Sequence, residues 1–165
     1  MAKESLKIIG INPGTRYLGI ALFQGPELWD WRIKVFEGRW TKAKMEKIKE
    51  AILGFIKRYD PDVMAIKKLH PSRSSPNLKK LVANIKELSR RKGLKVCQYS
   101  IKELESFFNP EEKINKKGLA EVIASEYPVL SHEFSKEKSN KNAYHIRMFE
   151  AVALGAVCFH QLDKP

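Results

Sequence analysis

The chain has 165 residues, 43% of them apolar, and carries 31 Lys and Arg against 19 Asp and Glu for a formal net charge of +12. That length suits one domain, residues 1–165, with a core of its own. No apolar run approaches the roughly 18 residues of a membrane span, so no membrane-spanning helix is expected. The start has no charged-then-apolar leader, which points to a cytoplasmic chain. Cys97 and Cys158 each sit inside an apolar run and read as buried thiols of a reducing compartment, with no disulfide framework or zinc spacing. The surplus of cations favours a polyanionic partner, nucleic acid first. A Lys/Glu-rich surface of the heat-adapted kind explains many of the charges but not their imbalance.

In chain order, Lys7–Ile11 is a short apolar run that reads as a buried strand. "NPGTR" follows, and Tyr17–Phe23 resumes as a second strand, close enough to pair antiparallel with the first. Leu28–Phe36, "LWDWRIKVF", alternates apolar with polar residues and predicts a third strand with an exposed face or edge. Thr41 is an N-cap for a helix carrying Met45, Ile48, Ile52, Phe55 and Ile56 on one side and ending at Asp60-Pro61. Asp62–Lys68 is a fourth strand, Leu69–Asn77 a loop of turn formers, and Leu78–Arg91 a second helix stopped by Gly93. Leu94–Tyr99 is a fifth strand. Ser100 caps a short helix to Phe107, and Lys116–Glu126 forms another. Val129–Asn142 is polar and reads as a mobile loop before a last helix from Tyr144 to Leu162. This order predicts an α/β mixed five-stranded sheet, three antiparallel strands followed by parallel ones, with helices on both faces.

Ligands of such sheets collect at the carboxyl ends of the strands. Asn12 ends the first strand and Lys67 the fourth. The last helix has a small-residue face of Ala151, Ala153, Gly155 and Ala156, which allows close approach to the sheet, and it carries Arg147 and Glu150. Each has an ordinary reading: Asn12 before Pro-Gly is a good turn residue, Lys67 and Lys68 suit a solvated strand end, and Arg147 with Glu150 makes a plain i,i+3 helix pair. His145 is a helix-start residue, and His70, His132 and His160 show no ligand spacing. The segment "KKLHPSRSSPNLKK" is basic and rich in small donors, either a mobile surface loop or a nucleic-acid contact.

Three blocks together resemble the RuvC-like family of Holliday-junction resolvases, within the RNase H-like superfamily. They are "IIGINPGTRYLGIAL", "PDVMAIKK" and "RMFEAVALGAV". The resemblance runs from residue 7 to about 162 and implies an RNase H-like fold. Members of that family hold two divalent metals with four residues, and clustered carboxylates suit this because they neutralise and space the ions. The corresponding positions here are Asn12, Lys67, Arg147 and Glu150, of which only Glu150 is acidic. The resemblance therefore implies a degenerate catalytic site with no metal pair and no cofactor, in which Lys67 or Arg147 pairs with Glu150. Mg²⁺ or Mn²⁺ belongs only to an active alternative. It also implies a homodimer and a DNA partner, branched or duplex. The expected contacts are Arg16, Lys67, Lys68, Arg73, Ser74, Lys79 and Lys80.

Three functions stay open on sequence. The first is a nuclease-fold protein that binds branched or duplex nucleic acid without cutting it. The second is an active structure-specific endonuclease with a rebuilt site, for which Glu27, Asp30 and Glu37 are the nearest acids but match no ligand place. The third is a protein-interaction subunit without nucleic-acid binding.

Overall fold

A computed structural model of the chain describes residues 6–132, 134–135 and 144–162, the side chains of Tyr144 and His145 excepted. Its strands are β1 (Lys7–Asn12), β2 (Tyr17–Gln24), β3 (Glu27–Val35), β4 (Val63–Lys67) and β5 (Lys95–Tyr99). Its helices are α1 (Lys42–Tyr59), α2 (Pro76–Arg91), α3 (Ile101–Phe108), α4 (Lys116–Glu126) and α5 (Tyr144–Leu162). The sheet order is β3-β2-β1-β4-β5. β1 pairs antiparallel with β2 and parallel with β4, so both β1 and β4 are interior strands. This is the mixed sheet the element order predicts. No helix among the described residues is long and apolar enough to cross a membrane.

The period of two in the strands sorts their side chains between two cores. Ile9, Ile11, Leu18, Ile20, Met64 and Ile66 pack on the face covered by α1 and α2. Ile8, Ala21, Phe23, Val63 and Ala65 pack on the face covered by α3, α4 and α5. Because both faces are covered, β1 reads as a continuous apolar run. α5 is buried around its whole circumference from Ala151 to Cys158, between the sheet and α3 and α4.

α5 can lie this close because the opposing strands carry glycine. A Cβ at Gly10 would run into the carbonyl oxygen of Ala151, and one at Gly19 into that of Arg147. The small residues of α5 and the glycines of β1 and β2 are thus two sides of one contact.

Helix ends follow their caps. Thr41 accepts from Lys44 N at 3.0 Å, and Ser100 with Glu103 forms a reciprocal capping box. α2 starts at Pro76, two residues before the predicted Leu78, because Ser75 is the cap and accepts from Leu78 N at 3.2 Å. Proline at the first helical position lacks only an N–H that the helix leaves unpaired anyway. The predicted loop over Val129–Asn142 is corrected where it is described. Pro128–Leu130 is a 3₁₀ turn, and residues 131–132 and 134–135 are helical. Position 133 and positions 136–142 lie outside the described residues. Cys158 is buried as expected, but Cys97 is only half-buried, because β5 is the sheet's edge.

Candidate functional site

The parallel pairing of β1 with β4 brings the carboxyl ends of two interior strands side by side, placing Asn12 next to Lys67. The first turns of α5 pack beneath them and supply Arg147 and Glu150. Asn12 is fully buried and Glu150 is 2% exposed. The Asn12 amide Nδ2 donates to Glu150 Oε1 at 2.8 Å and to the Arg147 carbonyl oxygen at 3.2 Å. Both partners are acceptors, which fixes the amide orientation. Lys67 Nζ donates to the same Oε1 at 3.4 Å. A further ammonium, Lys116 from the first turn of α4, stands 4.0 Å from Oε2. Asn12 Oδ1 and Glu150 Oε2 are buried without a hydrogen-bond partner.

Arg147 departs from this cluster. Its guanidinium lies over the Tyr17 ring, 5.9 Å from the centroid, and against the Gly14 backbone. Arg16 approaches the same ring at 5.4 Å. The ion pair to Glu150 therefore comes from Lys67, not from Arg147. Tyr17 opens β2 and Gly14 lies in the turn, so the β1–β2 connection holds this arginine.

Burial is the main cause that lowers the pKa of Lys67 below the usual lysine range. The Glu150 carboxylate opposes it, while Lys116 and Arg147 push in the same direction as burial. Glu105 on α3 is pushed up, first by burial and then by the charge of Glu150, against Lys113, Lys116 and Lys102. The site thus gathers ammonium groups from β4 and α4 around one buried carboxylate, and the α5 guanidinium acts on Lys67 from outside that group.

Such a donor set does not fit a pair of divalent metals. Among the described residues no group of three or more His, Cys, Asp or Glu side chains could hold a metal ion. Of the other acids named from sequence, Asp30 and Glu27 lie elsewhere, and Glu37 follows the end of β3 that pairs with Tyr17. Asp30 pairs with Arg32 at 2.9 Å and accepts from the Tyr59 hydroxyl at 3.2 Å, on the α1 side of the sheet. Glu27 pairs with Gln24, at the opposite end of β2 from Gly19, the partner of Asn12.

The remaining candidate contacts surround the same end of the sheet. Lys68 follows β4 and donates its backbone N–H to Tyr99 O at 2.8 Å. Arg73 ends a turn closed by its N–H to His70 O, Ser74 follows it, and Lys79 and Lys80 sit in the opening turns of α2. Arg16, Lys68, Arg73, Lys79 and Lys80 are exposed. Sequence reasoning missed Lys116 and Glu105. They belong to none of the three blocks, and only the packing of α3 and α4 against α5 carries them to the site. Asn115 caps α4, accepting from Gly118 N at 2.8 Å, and sets Lys116 at the helix start.

Compared by sequence, the chain matches no family model and no curated protein. Compared by structure, it superposes on RuvC of Thermus thermophilus with a TM-score of 0.71 at 14% identity, covering 95% of this chain and 96% of that one. Against the Thermus thermophilus RuvC solved in complex with a Holliday junction substrate the TM-score is 0.69 at 13% identity, covering 95% of each chain. The Fowlpox virus resolvase, solved with substrate Holliday junction DNA, gives 0.62 at 20% identity, covering 96% of this chain and 100% of that one. At these identities the likeness is one of architecture: the chain has the α/β RNase H-like fold, structurally similar to RuvC and to a poxvirus resolvase.

Proposed function

We propose that the protein binds branched or duplex nucleic acid, DNA foremost, at the basic carboxyl end of β1 and β4, and that it does not hydrolyse it. The observation that carries this reading is the Lys67–Glu150 ion pair at 3.4 Å. An ammonium occupies the strand end where a metal-dependent relative needs an acid. Unit charges about 4 Å apart interact by about 4 kcal/mol at an effective dielectric of 20, and a divalent ion facing a cation doubles that as repulsion. One carboxylate, already bonded by Asn12 and Lys67, does not offset it.

The solved relatives with Holliday junction DNA support DNA as the partner. The +12 charge supports binding through the backbone, and no side-chain pattern here suggests base reading. The reading includes a homodimer acting in the cytoplasm, and sedimentation of the free protein tests the dimer. Electrophoretic titration of a four-way junction beside a linear duplex, at several salt concentrations, tests binding. A steep salt-dependent shift is expected, and no shift even at low salt overturns the reading.

A further inference from the structure

We propose that Lys116 completes, with Lys67 and Arg147, a seat for one phosphate of a nucleic-acid backbone, held by side-chain cations without a metal ion. This rests on the nucleic-acid reading above and adds to it a residue, a ligand group and a metal-free mode of capture.

Three elements supply the three cations: β4 supplies Lys67, α4 supplies Lys116 and α5 supplies Arg147. Each acts electrostatically on Lys67 or is Lys67 itself. Glu150 is the carboxylate beside them: it bonds Lys67 directly and stands 4.0 Å from Lys116, while Arg147 turns to Tyr17 instead. Glu105 is the other acid facing this group, and Lys102 and Lys113 face it in turn. The cluster is therefore cationic in excess, and part of it is desolvated. Repulsion of this kind costs stability in the free protein, and an anion between the cations offsets it.

Lys116 is placed to respond. Its side chain is 57% exposed, and its ammonium is beyond hydrogen-bond reach of Glu150. Glu150 Oε2, on a residue nine-tenths buried, has no hydrogen-bond partner. The ammonium thus stands between a carboxylate it does not bond and the solvent, with donors free for a ligand oxygen. Arg147 is held by Tyr17 and Gly14 within electrostatic range of Lys67, and its planar fork suits a phosphate. Lys67, at the strand end, is within electrostatic range of both.

The test measures binding of a four-way DNA junction in EDTA as a function of salt, with Lys116→Gln, Lys116→Arg and, as a control on the exposed last turn of α1, Lys57→Gln. One phosphate contact is worth close to one unit of the log–log salt slope. Lys116→Gln is expected to lower the slope by about 1 and weaken binding several-fold, while Lys116→Arg and Lys57→Gln keep the wild-type slope. Thermal melts establish that each variant is folded, which the exposure of both lysines favours. If Lys116→Gln keeps the wild-type slope and affinity, or if the wild type binds only when a divalent metal is added, the seat is overturned while nucleic-acid binding stands. If the wild type binds no junction at low salt, the seat falls together with the reading beneath it.

Discussion

The ammonium of Lys67 sits 3.4 Å from Oε1 of Glu150, joining the last residue of β4 to the buried start of α5. The carboxylate is 3% exposed on its side chain and the lysine 21%. Removing one member of a buried pair strands the other, which costs several kcal/mol when burial is complete. Here the lysine reaches water, so Glu150→Gln is expected to lose about 2 kcal/mol in urea unfolding. Combined with Lys67→Met it should lose less than the sum of the two single changes, by about 1 kcal/mol or more. Strict additivity would mean that the two groups do not interact.

The surroundings of three glycines predict opposite signs for one kind of substitution. Gly10→Ala and Gly19→Ala each drive a methyl into a helix carbonyl of α5 and should cost about 3 kcal/mol. Gly54 lies inside α1 with open space around the position of its missing Cβ. Gly54→Ala should stabilise by about 0.5–1 kcal/mol through helix propensity. Urea midpoints of the three variants check this, and a tolerated Gly10→Ala would contradict the close approach.

Glu105 gives a pH signature. Its folded pKa is raised, so the folded chain binds more protons than the unfolded one just above the ordinary glutamate range. Its contribution is most favourable below the unfolded pKa and is lost as pH rises through the folded value. Glu105→Gln should therefore gain stability relative to wild type between about pH 4 and pH 7. The effect is small because solvent screens a partly exposed side chain. Unfolding curves at the two pH values measure it, and a gain that does not grow with pH would contradict the assignment.

Divalent metal should leave the wild-type melting temperature unchanged. The triple variant Asn12→Asp, Lys67→Glu, Arg147→Asp places acids beside Glu150. Saturating Mn²⁺ should raise its melting temperature by about 5 °C if the scaffold retains the spacing of a metal site. Calorimetry gives the direct check, and tight binding of Mn²⁺ to the wild type would contradict the reading of the site.

The strands and most helix boundaries were legible because they rest on local signals. "IIGIN" is apolar because both its faces are covered, Thr41 and Ser100 carry caps, and the small residues of α5 announce a close contact. The meeting of Asn12, Lys67 and Glu150 followed from the ends of parallel neighbours and a packed helix. What escaped depends on tertiary placement. The side chain of Arg147 turns to Tyr17 because the β1–β2 turn offers an aromatic face. Lys116 reaches Glu150 because α4 packs on α5. The helical turn at Pro128 was hidden because a proline after a helix reads as a stop, although proline equally suits the first position of a new turn.

The central claim is that this fold holds nucleic acid without cutting it. The most direct measurement incubates an end-labelled four-way DNA junction with the protein in Mg²⁺ and in Mn²⁺, resolving native and denaturing gels side by side. The account predicts a salt-sensitive shift on the native gel and intact strands on the denaturing gel. Metal-dependent nicks at the junction that disappear with Glu150→Ala would contradict it.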